Sequence, residues 1–485
     1  MSEHGDSTQI PGFRGVAADV EPKEAELRRG ALGMRSVMFQ NMTNMAPAAA
    51  IVYDFPTQIA AAGAALWISN SIALFAVLLI SSSIIQFAKH LPSAGGYYSY
   101  LSRSLGPGAG AFSAWIYFLY ALLLPAEVTV IWAGIASTIV DNYLHVSIPW
   151  WIFEILMLGL VGFLAFTGVQ RSARVTLIAG ALEIGVFIVL GVALLINPVS
   201  PIDFSKIGLA SAPTGWSGIL GLGLVFGILN FVGFESAAAM AEETDNPRRN
   251  VPRSVLYSVL LLGILYLFMS IATVFGYGLD NLANFFSDPA PFDTLANRVL
   301  GIGTLIVFFA ITNSSFGCSL ATINQGSRVL MSMGRNGLLP ENVGSVHPNY
   351  RTPHVAATII TSIALIIALV SGAIWGTATA FGVLAVTLTA GALMIYILGN
   401  IGLPVFYRKH HAGEFNILFH AILPLGAIIL LGYVFFRTFY PIADYPFNLP
   451  GWFALGWAVI GLILTTVLRE SRPQAFEAVL NEEIG

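Results

Sequence analysis

Five acidic residues stand inside long apolar stretches of this sequence: Asp54, Glu127, Glu154, Glu183 and Glu235. No lysine or arginine lies in the middle of the same stretches to neutralise them. If these stretches cross a lipid bilayer, an ionised carboxylate near its centre costs about 2.5 kcal/mol or more, so each acid indicates a functional site. The chemistry open to a buried carboxyl group is the uptake and release of a proton, or the neutralisation of a cation.

Three of these acids also have an ordinary structural explanation. Asp54 is expected near a water-filled vestibule and Glu154 near a wet helix end, where hydration lowers the cost of the charge. Glu127 follows Pro125, and the sequence leaves the direction of its side chain open. We favour the structural explanation for these three, but the surplus of acids leaves a cationic substrate open.

The apolar stretches are the elements that must hold these acids. Of 485 residues, 56% are hydrophobic and 10% are charged, whereas soluble domains carry about 25% charged residues. A helix needs roughly 20 apolar residues to cross a hydrocarbon core about 30 Å thick. The sequence therefore predicts an all-α integral membrane protein with twelve spans. The predicted spans are residues 32–62, 65–88, 108–139, 149–168, 173–196, 216–242, 252–278, 301–333, 354–375, 378–407, 418–438 and 450–469.

Charged and aromatic residues predict the orientation of the spans. With the N-terminus inside, all but three of the 22 lysines and arginines fall on the inner side, and cytoplasmic loops are enriched in these residues. Tryptophans stand at the outer helix ends, the depth that their amphipathic rings prefer. The three exceptions are Lys206, Arg298 and Arg437. We therefore expect a multi-pass protein of the cell inner membrane with both termini in the cytoplasm.

The first and sixth predicted spans are each interrupted. Pro47 removes a backbone donor and clashes with the preceding turn, so span 1 is expected to break within residues 45–49. Gly233 lies next to polar side chains, so span 6 is expected to unwind within residues 232–235. A kink packed against neighbouring helices explains either interruption alone equally well. Their matched positions favour a binding site, because broken helices expose peptide groups that lipid cannot satisfy.

Spans 1 and 6 each open a group of five helices, so the second group runs with inverted topology. Paired interruptions in two inverted halves are the best sequence indication of a transporter binding site. The half-helix that begins near Ala48 is expected to present its positive end to a carboxylate. The carbonyls of Phe231 and Val232 are expected to accept hydrogen bonds from an ammonium group. The predicted substrate-binding residues are Met45, Ala46, Pro47, Ala48, Ala49, Ala50, Phe231, Val232, Gly233, Phe234 and Glu235.

Three segments carry a family resemblance. They are HLPSAGGYYSYLSRSLGPGAGAFSAW at residues 90–115, NFVGFESAAAMAEETDNPRRNVPRS at 230–254 and GSRVLMSMGRNGLLPENVGSVHPNYRTPHVA at 326–356. These segments resemble the amino acid/polyamine/organocation (APC) superfamily of permeases, over nearly the whole chain. The resemblance implies a five-plus-five inverted repeat with two additional helices, and an alternating-access transporter for amino acids or amines. It also implies a substrate held between spans 1, 3, 6, 8 and 10.

The resemblance implies roles for individual residues as well. Glu183 is similar in position to a lysine of some proton-coupled relatives, so it is expected to carry the coupling proton or to help hold a cation; a neutral, hydrogen-bonded glutamic acid is the alternative. Glu235 matches the glutamate of the family's sixth helix and is expected to couple substrate binding to helix motion, to bind an amine, or to cap the second half-helix. Apart from the resemblance, the polar residues Asn313, Ser314 and Ser315 of span 8 are expected to line the ion or substrate site, with interhelical hydrogen bonding as the alternative.

The chain departs from the family pattern at two positions. Relatives often carry a glycine-rich break in span 1, whereas this chain has Pro-Ala-Ala from Pro47, which weakens the case for carboxylate capture there. The usual position of an aromatic gate in span 6 is Leu229 here, so gating is expected to pass to Phe231, Phe234 or another aromatic residue.

Motifs of other chemistry are absent from the sequence. It contains no GxxxxGK[ST], HExxH or CxxC pattern, so we expect no enzymatic activity, no metal and no cofactor. We predict proton-coupled uptake of an amino acid, with a polyamine or amine permease or exchanger as the alternative and a membrane sensor or channel as a less favoured one. The expected partners are the small-molecule substrate, a coupling proton or sodium ion and the lipid bilayer, without nucleic acid, in a monomer or weak oligomer.

The predicted organisation has three regions. A cytoplasmic tail at residues 1–30 precedes a transporter domain at 31–470, and a second cytoplasmic tail follows at 471–485. Within the domain, the sequence predicts a first repeat at about 31–197, a second at about 215–408, and two further helices at about 418–469.

Overall fold

The computed structural model describes residues 30, 32–93, 95–168, 173–288, 290–301, 303–441, 443–474 and 476. These residues fold almost entirely into helices, and none of them belongs to a β-strand. Almost all of the two predicted tails lies outside the described residues. An all-helical fold suits a chain this apolar, because a helix satisfies its own peptide groups where lipid cannot.

The α-helices of the described residues are numbered α1 to α18 in chain order. They are Met34–Asn44 (α1), Pro47–Ala49 (α2), Phe55–Ala62 (α3), Leu66–His90 (α4), Tyr97–Leu105 (α5), Pro107–Leu144 (α6), Trp150–Thr167 (α7), Ala173–Ile196 (α8), Trp216–Gly218 (α9), Leu224–Leu229 (α10), Ser236–Ala239 (α11), Pro247–Tyr277 (α12), Pro291–Leu300 (α13), Gly303–Arg335 (α14), His354–Trp375 (α15), Thr377–His410 (α16), Leu423–Arg437 (α17) and Pro450–Ser471 (α18). Three π-helical segments extend them, at Ala50–Asp54, Ile219–Gly223 and Leu418–Ile422.

Nine helical stretches of the described residues are long and apolar enough to cross a membrane. One of them, residues 34–90, contains the first two predicted spans, because α1 to α4 follow one another with little gap. Two shorter apolar helices, Gly180–Ile196 and Trp216–Leu229, lie within the fifth and sixth predicted spans. A helix therefore stands at every predicted span, and the number of membrane crossings stays a prediction.

Burial divides the helices into a central and a peripheral set. In the most apolar windows of α6 and α16, 78% and 83% of the residues are buried. The corresponding value for α18 is 22%, with large apolar side chains such as Trp452 and Ile463 turned outward. Lipid tails are as apolar as these side chains, so an apolar side chain that faces lipid carries no penalty. The pattern is that of a bundle whose central helices, α6 and α16, are shielded from lipid.

Two connections that the sequence left as loops contain helices of their own. α5 lies between Gly96 and Gly106, whose positive φ angles of 51° and 104° turn the chain at both ends. α13 stands between α12 and α14 and buries Phe292 and Leu295. At 9 and 10 residues, both helices are too short to cross a bilayer.

Hydrogen bonds fasten the start of the first interrupted span to the end of the second. The Leu32 amide donates to the Glu243 carbonyl, and the Leu32 carbonyl accepts from the Asp245 amide, both at 2.9 Å. The side-chain oxygen of Asn41 accepts from the first two residues of α11, at 2.8 and 3.0 Å. Glu243 also forms an ion pair with Arg328 of α14 at 2.7 Å, and the two side chains are only 8% and 14% exposed.

Candidate functional site

The first predicted break is confirmed. α1 ends at Asn44, Met45 caps it with right-handed backbone angles, and Ala46 adopts a left-handed conformation with φ 44° and ψ 62°. Pro47 then opens α2, a position where its missing N–H and fixed φ suit a helix start. The chain continues through the π-helical segment Ala50–Asp54, a distortion that is frequent at functional sites.

The second predicted break is confirmed as well. α10 ends at Leu229, residues 230–235 form non-helical turns, and α11 begins at Ser236. Gly233 has a φ of 105°, and a Cβ atom there would lie 2.9 Å from both the side-chain nitrogen and the carbonyl oxygen of Asn44. Both the backbone conformation and the close approach therefore require glycine.

Asn44 joins the two breaks to the central helices. Its side-chain nitrogen donates to the Gly233 carbonyl at 3.3 Å, to the Tyr120 hydroxyl at 3.2 Å and to the Gln325 side-chain oxygen at 3.1 Å. Its side-chain oxygen accepts from the Thr322 hydroxyl at 2.7 Å. Asn44 was not among the predicted binding residues, although a polar side chain next to a helix-breaking proline was the signal that could have identified it.

Glu183 of α8 contacts the first break from the side. Its Oε1 accepts from the Ala48 amide at 2.8 Å, and its Oε2 accepts from the Asn313 side chain at 2.7 Å. The Ala49 amide donates to the Ser314 hydroxyl at 3.2 Å. The peptide donors at the start of α2, which the sequence assigned to a substrate carboxylate, are therefore already paired with groups of the protein.

Glu235 is held at the second break. Its Oε2 accepts from the Gly233 amide at 3.2 Å and from the Tyr396 hydroxyl at 2.9 Å. The capping role that the sequence offered for Glu235 is wrong, because its side chain makes no cap hydrogen bond to α11. The Asn41 side chain takes that place, since it reaches the Ala237 amide from α1.

Two small cavities lie at the breaks, each with room for about one water molecule. We call the first the acidic cavity; it is lined by Asn44, Met45, Ala46, Ala49, Ala50, Tyr53, Asp54, Leu124, Glu127, Val128, Leu229, Val232, Cys318 and Phe381. We call the second the tyrosine cavity; it is lined by Ile84, Gly95, Gly96, Tyr97, Tyr98, Tyr100, Tyr117, Glu235, Ala238, Ala239, Gln325 and Val329. Asn44 lines the acidic cavity and Gln325 lines the tyrosine cavity, so the hydrogen bond between their side chains links the two cavities.

Two carboxylates face the acidic cavity without full hydrogen bonding. Asp54 and Glu127 are 4% and 2% exposed, and Asp54 Oδ1 and Glu127 Oε2 are buried without a hydrogen-bond partner. The other Asp54 oxygen lies 2.9 Å from the Asn230 side-chain amide when that amide is oriented to donate. No lysine or arginine of the described residues pairs with either acid. The cavity is therefore rich in hydrogen-bond acceptors and in potential negative charge.

The structure separates the predicted binding residues into groups. Five of them line the acidic cavity and one lines the tyrosine cavity. The first group is Met45, Ala46, Ala49, Ala50 and Val232, and the single residue is Glu235. Those that line neither cavity are Pro47, Ala48, Phe231, Gly233, Phe234, Glu183, Ser314 and Ser315.

Aromatic rings flank the acidic cavity. Tyr53 and Phe381 pack edge to face, with ring centroids 5.7 Å apart, and the Tyr53 hydroxyl lies 3.2 Å from that of Ser315. Phe231 and Phe234, the predicted gates, pack instead on tyrosines of α12 and α16. Phe381 was not selected from the sequence, because nothing local distinguishes it from the other aromatic residues of its span.

The expectation that Glu154 is wet is wrong. Its side chain is fully buried, and its Oε1 accepts from the Thr129 hydroxyl at 2.7 Å. The start of α7 turns this residue toward α6 rather than toward solvent. Asp54, expected in a water-filled vestibule, is likewise buried.

A bundle of apolar helices, with two of them interrupted beside buried polar cavities, defines a multi-pass membrane protein of the transporter class. A sequence profile described as amino acid permease matches residues 36–465. The chain therefore belongs to the amino acid permease family of the APC superfamily.

Relatives within this family differ in the solutes for which they are named. The chain is 25% identical to the branched-chain amino acid permease BcaP of Bacillus subtilis (strain 168), over 72% of this chain and 75% of the relative. It is 24% identical to BcaP of Lactococcus lactis subsp. cremoris (strain MG1363), over 78% and 83%. It is 27% identical to the low-affinity putrescine importer PlaP of Escherichia coli (strain K12), over 61% and 65%.

Proposed function

We propose that this chain is a secondary active transporter that carries a cationic amine, with the acidic cavity as its binding site. The observation that carries the proposal is the pair of buried acids, Asp54 and Glu127, which line the same cavity and each have one oxygen without a hydrogen-bond partner. A buried carboxylate without a cationic partner is expensive, so a cationic ligand is the group that this cavity lacks.

The donors at the two breaks also support an amine over a carboxylate-bearing solute. The amides of Ala48 and Ala49 donate to Glu183 and Ser314, and the amide of Gly233 donates to Glu235. A substrate carboxylate would have to displace these bonds. An ammonium group needs acceptors instead, and charge-assisted hydrogen bonds to carboxylates are about twice as strong as neutral ones.

The aromatic pair adds a second attraction for an amine. Tyr53 and Phe381 line the same cavity as the two acids. A cation over an aromatic ring gains about 0.5–2 kcal/mol, with the larger value in desolvated sites. The cavity has room for about one water molecule in this conformation, so a diamine would bind in a more open one, with its aliphatic carbons against these rings.

Uptake into proteoliposomes tests this proposal. We expect saturable uptake of labelled putrescine, and a rise in KM of about 10-fold to 100-fold in Asp54→Asn or Glu127→Gln, because a hydrogen bond to a charged group contributes about 1.5–3 kcal/mol. Glu154→Gln is the matched control, since Glu154 is an equally buried glutamate that lines neither cavity. Putrescine uptake that is absent, or unchanged in both cavity variants, would contradict the proposal.

Amino acid uptake is the second candidate. The family description and the two BcaP relatives favour it. In that case isoleucine would be transported in the same vesicles, and the α-ammonium group would bind the Val232 carbonyl, which accepts no hydrogen bond from the described residues. Isoleucine uptake that is insensitive to Asp54→Asn, together with no putrescine uptake, would select this candidate.

We further propose that transport is driven by protons and that Glu183 carries the coupling proton. Glu183 bonds the Ala48 amide at the start of α2, beside the cavity rather than in it. Protonation of Glu183 would remove its charge and weaken its hydrogen bond with the Ala48 amide. The position of α2 would therefore change when the proton binds or leaves. Ser314 and Ser315 are the neighbouring hydroxyls in this arrangement, and sodium coupling is the alternative.

The proposed mechanism is alternating access about the layer of side chains between the two cavities. Asn44, Tyr120 and Gln325 form this layer through hydrogen bonds of 3.1 and 3.2 Å. Opening the acidic cavity on one side and the tyrosine cavity on the other would expose the solute to each side in turn. Glu235, which lines the tyrosine cavity, is suited to receive an amine that passes the layer.

The membrane arrangement belongs to the same proposal. We propose twelve spans, in which residues 31–197 and 215–408 are inverted repeats and residues 418–469 add two helices. The paired breaks at α1/α2 and α10/α11 support this symmetry. The excess of lysine and arginine on one side supports an inner-membrane location with both termini in the cytoplasm. The transporting unit would be a monomer or weak oligomer.

A further inference from the structure

Two histidines and a glutamate meet where α4 and α16 end. His90 is the last residue of α4, His411 follows α16 directly, and Glu414 ends a short 3-10 turn at Ala412–Glu414. His90 Nε2 lies 3.3 Å from Glu414 Oε2, and His411 Nδ1 lies 3.7 Å from Glu414 Oε1. One ligand atom from each of the three residues lies within 4.8 Å of the other two. No residue of this cluster lines either cavity.

We propose that His90, His411 and Glu414 form a binding site for zinc. A tetrahedral zinc ion with bonds of about 2.0–2.2 Å holds its ligand atoms roughly 3.3–3.6 Å apart. The imidazole nitrogens of His90 and His411 lie 3.3 Å from Oε2 and 3.7 Å from Oε1 of Glu414, so each is near that spacing from a different oxygen of the carboxylate. Two imidazoles and one carboxylate form a known zinc-ligand set, with the fourth position left to water.

The two imidazole rings of the cluster lie side by side. Their centroids are 3.9 Å apart, with an angle of 33° between the ring planes. One nitrogen of each ring therefore reaches the same carboxylate, that of Glu414. Lys89, which precedes His90, donates to the Gln86 side chain at 3.0 Å.

Aromatic side chains hold the histidine rings in place. Phe406 lies 6.3 Å from the His90 ring and 5.3 Å from the His411 ring, and Tyr407 lies 5.5 and 5.9 Å from them, measured between centroids. A ligand whose ring is already positioned loses less entropy when the metal binds. Glu414 remains 62% exposed, so an ion has a route from solvent and the fourth ligand position is open to water.

The donor set determines which ion the cluster selects. Imidazole nitrogen suits zinc, copper and nickel, whereas magnesium and calcium prefer an all-oxygen shell. A bound zinc ion would tie the end of α4 to the chain that follows α16. Zinc would therefore raise the resistance of the protein to thermal unfolding and oppose any movement that separates these two helix ends.

Zinc titration of the purified full-length chain, with any affinity tag removed, tests the proposal. Zinc chloride is added in competition with a chelating indicator, and we expect one tight equivalent in the unaltered protein. His90→Gln and Glu414→Gln should each weaken binding at least tenfold. His410→Gln is the matched control, because this neighbouring histidine faces the Arg103 carbonyl at 3.3 Å and lies outside the cluster. Its affinity should equal that of the unaltered protein.

Cobalt spectroscopy separates the site from adventitious binding. Cobalt chloride in place of zinc should give the intense visible bands of a four-coordinate ion, and zinc should abolish them. Thermal unfolding without metal shows whether each variant is folded; because Glu414 is largely exposed, Glu414→Gln should unfold at the same temperature as the unaltered protein. The proposal would be overturned if all four proteins bound zinc equally well or if none of them bound a tight equivalent. It would also be overturned if magnesium at equal concentration displaced zinc.

Discussion

Glu183→Gln separates the structural role of this residue from its proposed role in carrying a proton. The carboxylate accepts hydrogen bonds from the Ala48 amide and the Asn313 side chain. Glutamine keeps one oxygen for Ala48 and presents its own amide to Asn313, whose side chain must then rotate to accept. The loss is roughly the difference between a charge-assisted and a neutral hydrogen bond, about 1 kcal/mol. The variant should therefore fold.

Glu183→Ala has a larger expected effect on stability. It leaves the Ala48 amide and the Asn313 side chain without their acceptor, and a buried unsatisfied group costs about 1–3 kcal/mol. The difference in unfolding temperature between the alanine and glutamine variants measures this structural contribution. It must be measured first, because a transport defect is informative only in a variant that keeps its fold.

Transport then tests the proton. In proteoliposomes with an inwardly directed proton gradient, Glu183→Gln should lose gradient-driven accumulation of the substrate, because glutamine cannot release a proton. Exchange of labelled for unlabelled substrate across the membrane should change by at most about fivefold, the factor that corresponds to 1 kcal/mol. Glu154→Gln should keep both activities. Full accumulation in Glu183→Gln, with the same dependence on the gradient, would refute the assignment.

Two further predictions concern the breaks and their anchor. Gly233→Ala should lower the free energy of unfolding by about 1–3 kcal/mol and abolish transport, because alanine is strained at this φ and its Cβ would contact Asn44. Gly185→Ala is the control. It has open space around it and should change neither the unfolding temperature nor uptake. Glu243→Met or Arg328→Met alone should lower the free energy of unfolding by about 3–5 kcal/mol, because each leaves a buried charge unpaired. The double variant leaves no unpaired charge and should regain most of this stability. A double variant that loses as much as the two single variants together would contradict the prediction.

The breaks were predictable because their causes are local. Pro47, which has no N–H, and Gly233, which tolerates a positive φ, interrupt a helix regardless of how that helix packs against its neighbours. The burial of Glu154 was not predictable, because the direction of a side chain depends on how its helix is rotated against its neighbours. Phe381 was missed for the same reason. α5 and α13 were missed because hydropathy detects stretches of about 20 apolar residues and overlooks short helices between them.

The acidic cavity was also not predictable, because it is formed by residues that are far apart in the chain. The sequence identified Asp54 and Glu127 as unusual but favoured ordinary explanations, because it could not bring spans 1 and 3 to one point. The predicted peptide donors of Ala48 and Ala49 were correctly placed at a break, yet their partners come from α8 and α14, more than 100 residues away. Long-range pairing of this kind is what the fold adds to the local signals.

The attachment of Leu32 to the chain around Thr244 has a mechanical consequence. Two pieces of chain about 200 residues apart are secured to each other just outside the interrupted helices, so neither half-helix can tilt alone at that end. A movement of α1 would therefore displace the chain after α11 as well, so the two interrupted helices are coupled through this backbone pairing.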